Sequence, residues 1–274
     1  MEILRRTKNH KMGVNEIMNL EKAARSLYEA LVSAEGIGPL TESMPDLGTE
    51  EAYQIQMINL KRMLAEGHRV VGKKIGLTSL GMKRLLNVYE PDYGTLMEDM
   101  LVKNGGSIDI SKMISPKVEC EIAFVLKKDL PGPVVLESDV VDAVSYIAPA
   151  LEIVDSRILD WKIKLPDTIA DNASAGKLVV SSNAFEMRGF DLANLGMYNL
   201  KNGELCNSAC GIEVMGHPVR AVTWLANKLI GFGMPLKAGE IILSGAFAAA
   251  IEAKKGDRFA AHFDRMGKVE VEFD

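Results

Sequence analysis

At 274 residues, with 47% hydrophobic and 25% charged side chains, the chain has an ordinary globular make-up and room for a core that needs no staples. A formal charge of −5 excludes the basic field of a general nucleic-acid binder and fits a protein that handles small molecules. No window approaches the roughly 18 consecutive apolar residues of a membrane span.

Taken in chain order, the basic start (Arg5, Arg6, Lys8, His10, Lys11) is followed by no apolar signal core, so it reads as a frayed terminus of a cytoplasmic protein. Residues 15–34 predict an amphipathic helix, with Ile17, Met18, Leu20, Ala23, Leu27 and Leu31 near one stripe. Gly36-Ile37-Gly38-Pro39 ends it. Thr49 then reads as an N-cap before Glu50 and Glu51, opening a second helix that runs to about Gly67. After that the pattern turns to short strands: Val70–Ile75, Val118–Leu126, Ala150–Ile158, Lys177–Ser181, Glu240–Leu243, Arg258–Phe263 and Lys268–Phe273. Asn202-Gly203 marks a hairpin between Met197–Leu200 and Glu204–Cys206. A weak helix covers Glu137 to Tyr146. A clear one starts at Pro218, lines a face with Val222, Leu225, Ala226 and Leu229, and closes at Gly231 and Gly233, with His217 placed to cap it. Cys120, Cys206 and Cys210 are odd in number and lack zinc-like doublets, so they read as unlinked thiols in a reducing compartment. The expected class is α+β, a helical region over residues 1–69 packed on a β-rich domain over 70–274.

Segment 118–126 places Val118, Cys120, Ile122, Phe124 and Leu126 on one strand face, and Glu119, Glu121, Ala123 and Val125 on the other. The second face is only half polar, which points to the mouth of a partly buried cavity rather than to a solvated surface. Glu152 shares a face with Ala150 and Val154. An isolated buried carboxylate is unfavourable by several kcal/mol unless protonated, paired or bound to metal. Oxygen ligands without clustered His or Cys point to Mg²⁺ or Mn²⁺. Surface acids on half-exposed strands fit the same pattern, and nothing in the spacing makes the two strands neighbours.

In Val71-Gly-Lys-Lys-Ile-Gly-Leu-Thr-Ser79, alternation puts Lys73 and Lys74 on opposite faces. One of them faces inward, where a dry site lowers a lysine pKa toward neutrality and suits it to acid–base work. Two solvated lysines on an edge strand is the commoner alternative. Glu90-Pro-Asp-Tyr-Gly94 has turn composition, with Asp92 a turn former, and segment 166–176 reads as a loop of small and polar residues.

Together and in this order, these segments resemble the 2-oxopent-4-enoate hydratases of aromatic meta-cleavage pathways, grouped with the 4-oxalocrotonate decarboxylases in the fumarylacetoacetate hydrolase superfamily. The resemblance runs from about Leu47 to Phe273. Its carriers are Gly72-Lys-Lys-Ile-Gly-Leu-Thr-Ser79, Glu90-Pro-Asp-Tyr-Gly94, Glu119-Cys-Glu-Ile-Ala-Phe124, Lys127-Lys-Asp-Leu130, Glu152-Ile-Val-Asp-Ser-Arg-Ile158, Asp160-Trp-Lys-Ile-Lys164 and Asp171-Asn-Ala-Ser174. It implies a β-rich mixed-sheet roll, and a homo-oligomer that can associate with a pathway enzyme. It also implies Mg²⁺ or Mn²⁺ on Glu119, Glu121 and Glu152. The pattern Gly-x-Lys-Ile-Gly selects Lys74 over Lys73, and Asp92 follows as its partner in acid–base work. Leu77, Ser174 and Ser244 fall where the substrate, a small 2-oxo or 2-hydroxy acid, would bind.

One run departs from the hydratase pattern: Ser244-Gly-Ala-Phe-Ala-Ala-Ala250 lacks the expected proline and leans toward the decarboxylases, whereas Asp160–Lys164 leans toward the hydratases. The implied activity is water addition to 2-hydroxypenta-2,4-dienoate giving 4-hydroxy-2-oxopentanoate. Decarboxylation of 4-oxalocrotonate is the nearest rival, and a non-catalytic partner subunit with a structural cation is the rival from another class.

Overall fold

The structure, a computed structural model, describes residues 14–79, 81, 88 and 90–274; the basic start lies outside them. Helix α1 (Val14–Ser33) buries Leu20, Ala23, Ala24, Leu27 and Ala30, the three-and-four spacing of one stripe. Ile17, Met18 and Leu31, expected on that stripe, are exposed. After the short turn α2 (Leu40–Ser43), α3 (Thr49–Ala65) packs against α1. Its N-cap is Gly48, and Thr49 is the first helical residue with no side-chain cap.

The strands are β1 (Val70–Gly76), β2 (Asp92–Met97), β3 (Leu101–Val102), β4 (Ser107–Ile108), β5 (Lys117–Leu126), β6 (Val144–Val154), β7 (Ala175–Val180), β8 (Gly196–Lys201), β9 (Glu204–Cys210), β10 (Ile241–Leu243), β11 (Ile251–Glu252), β12 (Arg258–Phe263) and β13 (Gly267–Phe273). Helices α4 (Glu137–Ala143), α5 (Leu165–Ala170) and α6 (Pro218–Gly231) interrupt them. One sheet runs β2-β1-β10-β5-β6-β7-β3, with β11 on the other end of β5. The second runs β4-β13-β12-β8-β9. Pairs β1–β10, β3–β7 and β4–β13 are parallel and the rest antiparallel, so both sheets are mixed.

The apolar face read from alternation on β5 (Cys120, Ile122, Phe124) packs into one core with Phe259, Phe263 and Val271 of the second sheet and with Leu20, Leu27 and Tyr53 of the helices. This is the expected α+β roll with helices at its N-terminal end; the helices share this main core with both sheets, and a second cluster joins Met63 of α3 to Leu96, Met97, Ala150 and Leu178 of the first sheet. His217 caps α6, its Nδ1 accepting from the Val219 N–H at 3.1 Å. Cys206 and Cys210 are free thiols.

Four local expectations change. Residues 92–94, taken for a turn, lie in β2 and pair with Gly76, Ile75 and Lys74, because β1 offers them a complete hydrogen-bond ladder. The expected strand over 150–158 begins at Val144 and ends at Val154. There Asp155 leaves the sheet and its carboxylate accepts from the Ile114 and Ser115 N–H groups. The weak helix stops at Ala143, since Val144 and Tyr146 pair with Leu126 and Val125. The loop over 166–176 contains α5, started by Pro166 and by Asp167, which accepts from the Lys164 N–H and from Thr41 of α2.

Candidate active site

Strands β5 and β6 are antiparallel neighbours in a register that sets Glu119 opposite Glu152 and Glu121 opposite Ala150. The three side chains therefore rise on one face of the sheet. Glu121 and Glu152 are 0% exposed and Glu119 is half-buried. One carboxylate oxygen from each lies within 4.8 Å of the others, the only such acid or His/Cys cluster among the described residues. Glu121 Oε2 accepts from the Gly245 N–H at 2.7 Å, but Glu121 Oε1 and both Glu152 oxygens have no hydrogen-bond partner.

Lys74 reaches this cluster from β1. Its Nζ is 3.2 Å from Glu152 Oε1, an ion pair off the hydrogen-bond line, and donates to the Ala173 carbonyl at 2.9 Å. Alternation sends Lys73 to the other face, where it pairs with Glu240 at 3.2 Å. Asp92 lies on the neighbouring β2, fully buried, with Thr168 Oγ1 donating to Oδ2 at 3.3 Å and Oδ1 unpartnered. Gly76 makes this packing possible: a Cβ there would sit 2.1 Å from Asp92 Oδ1 and 3.4 Å from Lys74 Nζ.

The electrostatics follow from burial. Desolvation raises the pKa of Glu121, Glu152 and Asp92 above the usual carboxylate range, and desolvation with the Glu152 charge brings Glu119 up to about 7. Burial also opposes the charge on Lys74. Glu152, Asp92, Glu119 and Glu121 together outweigh it, so Lys74 is held protonated above its ordinary range. That reverses the lowering toward neutrality expected for a lysine in a dry site, because the field of four acids is stronger than the desolvation. Four carboxyl groups face one ammonium, and four of their buried oxygens, Asp92 Oδ1, Glu121 Oε1 and both of Glu152, have no hydrogen-bond partner. An all-oxygen donor set of this kind fits a hard divalent cation, which would relieve the repulsion.

The Ala173 carbonyl belongs to a turn, Asn172-Ala173-Ser174, with φ of 53°, 50° and 55°. Three successive left-handed residues without a glycine are disfavoured by roughly 1–2 kcal/mol each. The turn is docked on β2 by the Asn172 side chain, which accepts from the Thr95 N–H at 2.7 Å and donates to its carbonyl at 2.9 Å. Gly94 permits that approach, since a Cβ there would be 2.3 Å from the Asn172 carbonyl oxygen.

These groups open on a cavity of about 790 Å³. Its wall combines Lys74, Asp92, Glu119 and Ser174 with the apolar side chains of Leu77, Trp161, Ile163, Phe247 and the alanines of 246–250. Leu77 has a left-handed φ of 56° as the chain leaves β1. Ser174 is buried, its Oγ 3.4 Å from Asp171 Oδ2. Ser244 is buried and off the cavity wall; from that segment it is the Gly245 N–H that touches the glutamates. Sequence reasoning missed Gly245, Thr168 and Lys117, whose Nζ stands 4.2 Å over the Trp161 ring on the cavity wall. For Lys117 a signal was present, as it shares the Glu119 face two residues earlier. Gly245 and Thr168 lie in two runs the sequence singled out, 244–250 and 166–176, but nothing in those runs selects these two residues.

The family model described as fumarylacetoacetate (FAA) hydrolase C-terminal matches residues 79–273. The chain is 46% identical to a 2-hydroxyhexa-2,4-dienoate hydratase of Comamonas testosteroni, over 93% of this chain and 97% of that protein. It is 46% identical to a 2-keto-4-pentenoate hydratase of Paraburkholderia xenovorans, over 93% and 94%. Among solved structures, 4-oxalocrotonate decarboxylase from Pseudomonas putida G7, complexed with magnesium and adipate, superposes with a TM-score of 0.92 at 33% identity, covering 97% of this chain and all of that one.

Proposed function

The chain belongs to the fumarylacetoacetate hydrolase family, and on that premise we propose that it is a divalent-metal-dependent hydro-lyase that adds water to 2-hydroxypenta-2,4-dienoate to give 4-hydroxy-2-oxopentanoate. The observation that carries this is the buried Glu119–Glu121–Glu152 cluster with Lys74 against it, opening on a cavity, in a chain 46% identical to hydratases. A cation with a merely structural role would need no cavity and no lysine at its edge.

Glu119, Glu121 and Glu152 would hold Mg²⁺ or Mn²⁺, and the relative solved with magnesium supports the class of ion. When bound, the ion supplies Lewis-acid stabilisation of negative charge on the 2-oxygen of the acid. The protein's own groups move the protons. The reaction needs the 2-hydroxyl proton removed and a proton delivered at C5, which converts the dienol to the conjugated 2-oxo acid. The water oxygen then bonds to the electron-poor C4 and gives up one proton, and one proton is delivered at C3, so protons released and consumed are equal. Lys74, anchored against the cluster by the Ala173 carbonyl, is the acid–base group and proton donor, and Asp92 orients it or the attacking water. Leu77 and Ser174 contact the substrate from the wall that carries Lys74. The apolar wall from Ala246 to Ala250 accepts the uncharged tail and excludes bulk water.

Decarboxylation of 4-oxalocrotonate is the rival, favoured by the decarboxylase neighbour and by the alanines at 246–250. Assaying both acids with the metal-loaded chain separates them. We expect loss of the dienoate with water incorporation; release of CO₂ from 4-oxalocrotonate without hydration of the dienoate would reject the hydratase assignment. We also propose a homo-oligomer. Strand β9, the edge of the second sheet, leaves Leu205 and, just beyond it, Ile212 exposed, which suits burial against another copy.

A further inference from the structure

One buried ion pair beside the site has no part in the chemistry above. Arg157 and Asp171 are 5% and 1% exposed, and the Arg157 Nε donates to the Asp171 carboxylate. Buried pairs of this kind are weak evidence for stability, since apolar residues of similar volume often serve as well. What distinguishes this pair is where its remaining bonds go. Arg157 Nη2 donates to the Asp171 carbonyl, and Nη1 donates to the Ala175 carbonyl at 2.8 Å and the Asp155 carbonyl at 2.6 Å. The guanidinium thus grips the chain on both sides of the left-handed turn Asn172–Ser174. From within the turn, Ser174 Oγ donates to Asp171 Oδ2 at 3.4 Å, the Ser174 N–H donates to the Asp171 carbonyl at 2.9 Å, and the Asp155 N–H donates to the Ser174 carbonyl at 2.8 Å. The Arg157 N–H and Ser156 Oγ also donate to Asp171 Oδ2, at 3.0 and 3.3 Å.

Resting on the assignment of Lys74 as proton donor, we propose that Arg157, through Asp171, is a positioning residue that clamps this turn in its disfavoured conformation. The turn in turn holds the Ala173 carbonyl against the Lys74 ammonium and the Ser174 side chain at the cavity. Only a planar fork with several donors spans carbonyls on both sides of the turn, so lysine is not an equivalent here. None of the clamp's hydrogen bonds goes to Glu119, Glu121 or Glu152, which separates its effect from direct metal ligation.

The test uses the full chain with Mg²⁺ and four variants: Arg157→Lys and Asp171→Asn, each alone and combined with Ala173→Gly. Glycine adopts a left-handed φ without the Cβ clash, so it should lessen the need for the clamp. We expect each single variant to lose about 10²-fold in kcat, the effect of a small misplacement, with KM and half-saturation by Mg²⁺ within about threefold of the parent. Amides of 172–175 should exchange with solvent at least about tenfold faster while those of β5 and β6 keep their protection. Ala173→Gly should restore part of the lost kcat. Asp171→Asn is isosteric and carries the same test alone if Arg157→Lys does not fold. The proposal is overturned if folded variants keep kcat within about twofold, lose metal affinity in step with kcat, or show unchanged exchange in the turn. The exchange readout needs no substrate. A parent chain that fails to hydrate the dienoate, with exchange as expected, would therefore reject the hydratase assignment and leave the clamp standing.

Discussion

Glu119 carries the pH behaviour of the site at the scale of single residues. Its carboxyl is raised to about 7 by burial and by Glu152, and a metal ligand must be deprotonated. Divalent-ion affinity should therefore fall as pH drops through about 7, with proton release on binding, read by calorimetric titration across that range; constant affinity would contradict the assignment. The stability sign is the opposite. A carboxyl whose pKa is raised in the folded state contributes stability that is full below its ordinary value and lost as pH rises through about 7. The metal-free chain should thus lose Tm on going from acid to neutral pH, and Mg²⁺ should restore it. Lys74 and Lys73 make the second pair of predictions. Lys74→Ala should lower kcat by about 10²-fold or more, the usual scale for a lost acid–base group, and Lys73→Ala by far less. Equal losses would remove Lys74 from its role. At this scale the sequence was readable where a two-residue period decides, as for Glu119 and Glu121. The direction of the Lys74 shift was not, because it depends on four acids from three other strands that meet only after folding.

Registers and close approaches place the site at the scale of elements. The β5–β6 register brings Glu152 onto Glu119, and no spacing in the chain encodes that pairing. Strand β2 was misread because Glu90-Pro-Asp-Tyr-Gly94 has turn composition; its glycine serves close packing, leaving room for the Asn172 carbonyl. Gly94→Ala should push the turn off β2, lengthen the Lys74–Ala173 contact and lower kcat by about 10²-fold. Gly38→Ala, where a Cβ meets nothing within 4 Å, is the control and should change neither rate nor Tm. Full activity in Gly94→Ala would show that the turn does not need this contact. The amphipathic helices α1 and α6 and the alternating strands β12 and β13 were legible because their periodicity reflects one buried face each, and β5, buried on both faces through its middle, because one face is wholly apolar and the other carries the acids. Short strands such as β3, β4 and β11 carry too few residues to show a period.

The whole molecule is a curled pair of mixed sheets and a helical end that share a main core, and no helix among the described residues is long and apolar enough to cross a membrane. The fold class was legible from the order of helical and strand patterns, and the family from several ordered motifs, because both are properties of the chain as a string. The cavity was not, since its walls come from β1, β2, β5, the turn after α5 and the segment after β10. The most direct test of the central claim is turnover of 2-hydroxypenta-2,4-dienoate in ¹⁸O-water by the chelator-treated chain, before and after addition of Mg²⁺ or Mn²⁺, with Glu152→Gln in parallel. Turnover should return only with the ion, labelled oxygen should appear at C4, and Glu152→Gln should remain about 10²-fold or more below the parent. Full turnover in the chelated chain, or in Glu152→Gln with Mg²⁺ present, would contradict the assignment of the three glutamates.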